Sequence, residues 1–309
     1  MTEDREWFHR RGTLGRDGWE SVVDERTPGW QHTAIRIGTL AEGEQLALAD
    51  TGMERIIVPL HGSFTVEHTE QGAVSETVLT GRASVFEGPT DVLYLSCAST
   101  AVVRGRGRVA VAAARTDVVH PTRHVRAEET PVELRGAGAS SRQVHNFGTP
   151  EALDAERLIV CEVITPAENW SSYPPHKHDE QVPGRESRLE EIYYFEAAPT
   201  RTYGDPARAD AAFGMFATYS SAAGEIDIAE RVRTGDIALV PFGYHGPAVA
   251  APGYDLYYLN VMAGPDRDRA WLITDDPAHA WVRDSWSGQD FDPRLPYRAR
   301  SSGRAEGAQ

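Results

Sequence analysis

Short runs of apolar residues, or of alternating apolar and polar residues, recur through most of the chain at intervals of about ten residues. An alternation with a period of two is typical of a strand with one buried face, and Gly, Asp and Glu between the runs predict turns. Many short strands joined by turns favour an antiparallel sandwich or barrel. In the first half the predicted strands are 34–37, 45–49, 55–60, 63–67, 74–79, 84–87, 92–95 and 108–114.

The strand pattern stops between residues 117 and 141, where Pro, Gly and charged residues accumulate without a sustained period. It then restarts, and the predicted strands of the second half are 143–147, 158–165, 191–196, 213–219, 225–232, 237–241, 248–250 and 254–262. We therefore predict an all-β chain with two barrels. The predicted divisions are an N-terminal arm at 1–30, a first barrel at 31–125, a linker at 126–140, a second barrel at 141–297 and a disordered tail at 298–309.

The composition is that of a soluble globular protein, with 40% hydrophobic and 25% charged residues among 309. The net charge of −15 would repel phosphate backbones and anionic lipid surfaces, which argues against nucleic acid and membrane partners. Cys97 and Cys161 are far apart in the chain, which predicts buried thiols in a reducing compartment. The charged start and the lack of long apolar runs predict a cytoplasmic location.

Candidate metal ligands lie in the second half of the chain. His176 and His178 are spaced i, i+2 on a predicted strand and so point to one face, whereas Lys177 points to the other. A glutamate at the start of the next strand and His245 after a Pro/Gly turn complete a set of three imidazoles and a carboxylate. Such a set suits a borderline divalent ion.

Either Glu190 or Glu191 could supply the carboxylate. Glu191 would share a strand face with Tyr193, and Glu190 would share the other with Tyr194, but alternation does not show which face is inward. The two halves resemble a repeat in which Glu54, like Glu191, directly precedes an apolar run, although the first half lacks the His-x-His pair and the late histidine. We therefore favour Glu191 and place the metal site in the second barrel alone.

Other side chains near these motifs are candidates for proton transfer or substrate binding. Tyr193 and Tyr244 could donate or relay protons beside the ion. Lys177 is the single lysine of the chain and is an open candidate. Arg188 lies in a polar loop that could hold a substrate.

Four runs carry a specific resemblance to a known family. They are 171–179 (SSYPPHKHD), 189–195 (LEEIYYF), 243–245 (GYH) and 251–265 (APGYDLYYLNVMAGP). In these runs the chain resembles the 5-deoxy-glucuronate isomerases of myo-inositol catabolism, and weaker similarity extends through nearly the whole sequence. That family is related to the 4-deoxy-threo-hexosulose-uronate ketol-isomerases of pectin breakdown, in which a His-x-His, Glu and His set binds zinc.

The resemblance implies a bicupin, which is two jelly-roll-like barrels in one chain, with the metal in the second barrel. Carried over by motif, the ligands are His176, His178, Glu191 and His245. The implied ion is zinc, with manganese and iron as alternatives. The implied partner is a small uronic acid substrate, and a homo-oligomer is also possible.

The reaction implied by the resemblance converts 5-deoxy-glucuronate into 5-dehydro-2-deoxy-gluconate by proton transfer through a cis-enediol. The candidate acid–base residues are Tyr244, Glu190 and Lys177. Arg142 or Arg188, together with Tyr193, would bind the substrate, because the Gln-Arg pair expected in the family after Phe-Gly-Met is replaced here by Phe216-Ala217. The alternatives are an Fe(II) cupin dioxygenase, which would consume oxygen, and a non-enzymatic sugar-acid-binding cupin.

Overall fold

The computed structural model describes residues 6–299, and β-strands dominate this part of the chain. The strands are β1 (Phe8–His9), β2 (Ser21–Val23), β3 (Thr33–Leu40), β4 (Gln45–Leu48), β5 (Met53–Glu70), β6 (Ala73–Arg82), β7 (Val92–Leu95), β8 (Ser99–Arg115), β9 (Arg123–Val125), β10 (Val132–Arg135), β11 (Arg142–Gly148), β12 (Ile159–Thr165), β13 (Trp170–Ser171), β14 (His176–Lys177), β15 (Glu190–Pro199), β16 (Gly214–Ser221), β17 (Gly224–Val232), β18 (Ile237–Val240), β19 (Tyr244–Ala250), β20 (Tyr254–Ala263) and β21 (Thr274–Asp275). The helical segments are α1 (Val282–Ser285) and 3-10 turns at Val85–Glu87, Ala127–Glu129, Gly138–Ser140 and Pro206–Ala211. The all-β prediction is confirmed.

The strand predicted at 84–87 is wrong, because this segment forms a 3-10 turn. The side-chain oxygen of Ser84 accepts a hydrogen bond from the backbone N–H of Phe86 at 3.2 Å and caps the turn. A serine that satisfies a backbone donor locally competes with strand pairing. Val85 and Phe86 are still buried, so the apolar run at 84–87 indicated burial correctly but did not indicate a strand.

An eight-stranded antiparallel sheet, in the order β2-β3-β8-β5-β7-β9 with β4 on β8 and β6 on β5, forms the first barrel. β5 and β8 pair along 18 and 17 residues, and their register shifts between Pro59 and His61. Gly62 lies next to this shift with a φ of 89°, and a Cβ there would lie 2.0 Å from the carbonyl oxygen of Arg106. A residue without a side chain lets the sheet bend here and enclose its own apolar interior.

Two facing sheets form the second barrel. One is seven-stranded, in the order β1-β18-β15-β20-β12-β11-β10, and the other is six-stranded, in the order β17-β16-β19-β14-β21 with β13 on β19. Side chains of β15 alternate between two buried environments. Tyr193 and Phe195 face the interior of the second barrel, whereas Ile192 and Tyr194 face the first barrel.

The two barrels share a continuous apolar core. One buried cluster combines Ile56 and Val58 of β5 with Ile192 and Tyr194 of β15. A large apolar contact of this kind fixes the two barrels relative to each other. The second barrel therefore has one sheet that is buried on both faces, and this sheet carries Glu190 and Glu191 on opposite sides.

The segments outside the two predicted barrels also pair with them where the structure describes them. In the predicted arm, β1 pairs with β18 and β2 pairs with β3, so this segment contacts both barrels. In the predicted linker, β10 pairs with β11 and extends the seven-stranded sheet. Most of the predicted tail, residues 300–309, lies outside the described residues.

Cys97 and Cys161 are buried free thiols, and no helix within 6–299 is both long and apolar enough to cross a membrane.

The strand register shows how the two halves correspond. Glu54 lies opposite Ala114 on β8, and Glu190 lies opposite Ala263 on β20. The Glu54 carboxylate accepts backbone N–H groups of residues 156, 157 and 158 at 2.6–2.9 Å, just before β12. The Glu190 carboxylate accepts those of residues 31, 32 and 33 at 2.5–3.2 Å, where β3 begins.

Each of these two glutamates therefore binds the backbone at the start of a strand of the opposite barrel, β12 for Glu54 and β3 for Glu190. Glu54 corresponds to Glu190, and the next residue, Arg55, corresponds to Glu191. The predicted pairing of Glu54 with Glu191 is wrong by one residue. In the first barrel an arginine stands where the second barrel has its candidate metal ligand.

A buried ion pair also joins the barrels. Arg82, at the end of β6, donates to Glu162 of β12 at 2.6 and 2.7 Å, and both side chains are buried. Burial alone would raise the pKa of Glu162, but Arg82 and the His145 ring outweigh it and lower this pKa to about 2. Glu162 is therefore a carboxylate at neutral pH.

The Arg82→Met substitution is expected to lower the free energy of unfolding by about 3–5 kcal/mol at neutral pH, because it leaves the Glu162 charge buried and uncompensated. Since the folded-state pKa is depressed, the stabilisation is present above pH 4.5, the ordinary value, and is lost as the pH falls towards 2. The difference in unfolding free energy between wild type and variant should therefore decrease as the pH falls from 4.5 towards 2. Urea unfolding at several pH values measures it.

The matched control is Arg104→Met. Arg104 pairs with Glu67 at 3.3 Å, and both side chains are 43% exposed. An exposed pair contributes less than about 1 kcal/mol. Equal losses of unfolding free energy in the two variants would show that the buried Arg82–Glu162 pair stabilises the fold no more than the exposed pair does.

Candidate metal centre and its pocket

The three histidines are placed by two neighbouring strands of the six-stranded sheet. His176 on β14 lies directly opposite His245 on β19, and their rings are 4.6 Å apart between centroids. His178 follows β14 by one residue, and its ring is also 4.6 Å from that of His245. All three side chains are buried inside the second barrel.

Glu191 on β15 meets this group from the opposite sheet. Its Oε2 lies 2.9 Å from Nε2 of His178 and 3.1 Å from Nε2 of His245. One ligand atom from each of His178, Glu191 and His245 lies within 4.8 Å of the others. The His176 ring lies 4.6 Å from that of His245 between centroids, so the fourth predicted ligand is next to this group of three but is not part of it.

Each imidazole has its Nδ1 within hydrogen-bonding distance of a backbone carbonyl. The acceptors are Pro174 O for His176 at 3.1 Å, Leu189 O for His178 at 3.0 Å and Gly243 O for His245 at 3.3 Å. An Nδ1–H held in this way leaves the Nε2 lone pair free for a metal ion. Within residues 6–299, Nε2 of His245 is buried without a hydrogen-bond partner although a Glu191 oxygen is 3.1 Å away. This is the contact expected of two ligands that share an ion, and the donor set fits a divalent metal.

The charges of the ligands suit the same ion. Burial raises the pKa of Glu191, but the neighbouring imidazoles of His178 and His245 outweigh it and lower the pKa to about 2. Burial and the neighbouring His245 hold the pKa of His176 well below its ordinary value. Burial lowers the pKa of His178, but Glu191 more than compensates and raises it, so a metal would compete with a proton at this ring.

A cavity of about 520 Å³ opens onto His176 and Glu191. This size is typical of sites for small molecules. Its other lining residues are Glu133, Leu134, Arg135, Gly136, Arg142, Val144, Val163, Ser172, Tyr193, Tyr258, Asn260, Trp271, Ile273, Arg283 and Trp286. The candidate metal centre is thus accessible from a pocket with aromatic walls and several cationic groups.

Arg142 is the uncompensated cation of this pocket. It is only 8% exposed, donates to the carbonyl oxygen of Ser140 at 3.1 Å and stacks on Trp286. Arg135 and Arg283 are paired with Glu133 and Asp275, but no carboxylate within residues 6–299 forms a salt bridge with Arg142. Burial lowers the pKa of Arg142 to about 10, which still leaves it charged at neutral pH. A ligand carboxylate would supply the missing counter-charge.

Tyr193 presents its hydroxyl to the same pocket. The hydroxyl lies 3.0 Å from Oγ of Ser172, and both residues line the cavity. Burial, with the nearby Glu191 charge, raises the pKa of Tyr193 well above its ordinary value. Tyr193 is therefore a phenol at neutral pH and can donate a hydrogen bond to a ligand oxygen.

Lys177 and Tyr244 lie outside this pocket, so their predicted acid–base roles do not fit the structure. The Lys177 ammonium donates to Asp179 at 2.6 Å and to Glu186 at 2.8 Å. Burial lowers its pKa, but these two carboxylates more than compensate and raise it, which makes Lys177 a poor base. Tyr244 stacks on Tyr219 at 5.4 Å. Strand alternation explains this, because each of the two residues adjoins an inward-facing histidine.

Glu190 and Arg188 are also placed away from the ligands. Glu190 faces the first barrel and binds backbone N–H groups there, which does not fit an acid–base role at the metal. Arg188 has a side chain that is 51% exposed and pairs with Asp266 at 3.4 Å. Of the two predicted arginines, only Arg142 reaches the cavity.

The Glu190→Ala substitution is expected to destabilise the fold by about 3 kcal/mol and to leave the metal site intact, because it removes the acceptor of buried backbone donors. Urea unfolding and metal analysis of the purified protein measure both effects. Glu54→Ala should behave in the same way because Glu54 is the equivalent residue. Loss of metal in Glu190→Ala at unchanged stability would contradict this assignment.

Sequence reasoning missed several residues that line the pocket. Ser172 lies within the 171–179 run, beside the histidine motif. Asn260 is a polar residue within the apolar strand β20, two residues after Tyr258, and both face the cavity. A polar side chain in a buried strand is a usable signal. Trp271, Arg283 and Trp286 come from irregular segments and the short helix near the chain end, where no periodicity pointed to the site.

Comparison with known proteins shows the family and the fold. The model of the KduI/IolB family matches residues 7–282. The chain belongs to the KduI/IolB family. Relatives in this family include the 5-deoxy-glucuronate isomerase of Geobacillus thermodenitrificans, which is 37% identical over 266 residues that cover 85% of this chain and 90% of the relative. The 5-deoxy-glucuronate isomerase of Bacillus subtilis strain 168 is 36% identical over 254 residues, with coverages of 81% and 88%.

Solved structures give the same fold. An IolB-like protein from Salmonella typhimurium LT2 superposes with a TM-score of 0.77 at 30% identity, over 89% of this chain and 98% of that protein. The oxalate decarboxylase of Lactobacillus farciminis superposes with a TM-score of 0.59 at 10% identity, over 87% and 88%, and shows a likeness of fold alone. The predicted family resemblance and the predicted bicupin fold are confirmed.

Proposed function

We propose that this KduI/IolB family member is an aldose–ketose isomerase that converts 5-deoxy-glucuronate into 5-dehydro-2-deoxy-gluconate. The observation that carries the proposal is a cavity that opens onto His176 and Glu191, with His178 and His245 beside the Glu191 carboxylate, and that also holds Arg142, which has no salt bridge within residues 6–299. The cavity thus offers a metal site and a cation for a carboxylate. The names of relatives at 36–37% identity support the choice of substrate.

The four ligands would hold a divalent ion, and we propose zinc, with manganese and iron as alternatives. A bound ion supplies Lewis-acid polarisation of the oxygens at C1 and C2 of the sugar. Arg142 would bind the carboxylate at the other end of the substrate and so fix which carbons lie near the ligands. The cytoplasmic location and the homo-oligomer stay predictions.

Tyr193 is our candidate for handling the oxygen-bound proton, in place of Tyr244, Glu190 and Lys177. Its neutral hydroxyl lies on the same strand face as Glu191, two residues along β15. It could donate to the oxygen that becomes a hydroxyl and exchange that proton with Ser172. A base removes the proton on C2 to give the enediol and, after exchange with solvent, a proton is added at C1, so the isomerisation gains and loses no atom overall.

The test follows the conversion by NMR in deuterated water with metal-loaded protein. Ketose formation with deuterium at C1 is expected, and removal of the metal by a chelator should abolish it until metal is added back. Full activity of the chelated, metal-free protein would overturn the metal role, and no conversion by the loaded protein would overturn the proposed reaction. Oxygen consumption with substrate would favour the dioxygenase alternative, whereas binding without turnover would favour the sugar-acid-binding alternative.

A further inference from the structure

The first barrel contains a cavity of about 630 Å³ that has no part in the proposed reaction. Its inner wall carries the apolar residues Leu48 and Val111, and Arg55 also lines it. Arg55 occupies the position equivalent to Glu191, and Val111 the position equivalent to Asn260, as the matched registers of β5 with β8 and β15 with β20 show. The cavity is therefore the counterpart of the metal-binding pocket, with a cation in place of the carboxylate ligand.

The Arg55 guanidinium forms no salt bridge within residues 6–299, and Asp50, whose charge acts on it, is paired with Arg36. The side chain is buried, with 3% of the residue exposed. It donates to the carbonyl oxygens of Leu48 and Ser99, and no carboxylate within residues 6–299 forms a salt bridge with it. Its Nε is buried without a hydrogen-bond partner in this part of the chain. Burial lowers the pKa of Arg55 to about 10, so it remains a cation at neutral pH.

The other charged residues that line this cavity are four carboxylates and three arginines, and Arg16, outside the lining, pairs with Asp24 and supplies the fourth positive charge. Arg36 pairs with Asp50 at 2.5 Å and Arg115 pairs with Glu25 at 3.4 Å. Arg26 pairs with both Asp24 and Asp17. Most of these side chains are more than half exposed, except that Asp24 is buried and Arg36 is partly buried, whereas Arg55 is buried. A ligand that enters the cavity therefore meets one unpaired positive charge beside an apolar wall.

We propose that the first barrel binds a small organic monocarboxylate, whose carboxylate pairs with Arg55 and whose uncharged body fills the cavity. An anion supplies both the missing counter-charge and an acceptor for the orphaned Nε–H. The volume admits a molecule the size of a sugar acid. The inference does not depend on the proposed isomerase activity, because it concerns a separate cavity.

The test is calorimetric titration of the metal-loaded full chain with D-glucuronate, with D-glucuronamide as a neutral control ligand. The Arg55→Met variant is expected to lose the first-barrel site, and the Arg142→Met variant to lose only the pocket at the metal ligands. The wild type is expected to bind two equivalents of D-glucuronate, and each variant is expected to bind one. D-glucuronamide should bind the first barrel at least about tenfold more weakly than D-glucuronate does. The Arg55→Met variant should keep its metal content and its kcat.

A second variant tests the proposed site in case Arg55→Met does not fold. Ala47 is exposed at the mouth of the same cavity, so Ala47→Trp should block entry while the Arg55 environment stays intact. Loss of one equivalent in Ala47→Trp supports the proposal even if Arg55→Met unfolds. Unchanged stoichiometry in both variants, or a single wild-type site that Arg142→Met abolishes, would overturn it.

Discussion

Replacement of His178 by alanine is expected to remove the bound divalent metal and to lower kcat/KM by about a thousandfold or more. His178 Nε2 lies 2.9 Å from Glu191, and its Nδ1 is held by the carbonyl oxygen of Leu189 at 3.0 Å. Alanine removes a ligand and leaves an incomplete set that cannot hold the ion firmly. A Lewis acid contributes several kcal/mol to catalysis, and each 1.4 kcal/mol is a factor of about ten.

Metal analysis and the NMR isomerisation assay measure this prediction side by side. His68→Ala is the matched control, because His68 is also buried but lies in the first barrel. Its Nε2 lies 3.3 Å from Oγ1 of Thr77 there. The control should keep both metal and activity. A His178→Ala protein that is folded, metal-free and fully active would show that these ligands serve no catalytic metal.

The four candidate ligands could be singled out in the sequence because their signals are local. The i, i+2 spacing of His176 and His178, the glutamate that begins a strand and the histidine after a turn can all be seen without knowledge of the tertiary structure. The repeat favoured Glu191 over Glu190 on a register that was wrong by one residue, and the family resemblance implied Glu191 independently. The structure brings Glu191 together with His178 and His245 and leaves Glu190 on the far face of the strand.

The orientation of Glu190 was not predictable in the same way, because its strand is buried on both faces. On β15 one face lines the second barrel and the other packs on the first barrel, so burial does not distinguish Glu190 from Glu191. Lys177 is buried as well, but by its own ion pairs with Asp179 and Glu186. Only the packing of sheet on sheet decides which face meets the metal.

The repeat was recognisable, but its register was not. A glutamate before an apolar run occurs in both halves, and a second glutamate in the second half made the match ambiguous by one residue. A shift of one residue exchanges the two faces of a strand. The hydrogen bonds of Glu54 and Glu190 to the opposite barrel resolve the register, and they reveal Arg55 in the place of Glu191.

Replacement of Arg142 by methionine is expected to raise KM for the uronate by about 30- to 100-fold, because a buried cation that binds a carboxylate contributes about 2–3 kcal/mol. Methionine keeps much of the packing against Trp286 but removes the charge. Metal content should stay unchanged, because Arg142 is not among the ligands. Arg142→Lys should retain more affinity than Arg142→Met, since it keeps a charge but loses the planar guanidinium.

Arg188→Met distinguishes Arg142 from the other predicted arginine. Arg188 is half exposed and paired with Asp266, so its loss should change KM by less than about twofold. Steady-state kinetics on the three variants, with metal content measured for each, decide the assignment. A large rise in KM for Arg188→Met with none for Arg142→Met would reverse the roles, and would mean that the substrate carboxylate lies outside the pocket that opens onto His176 and Glu191.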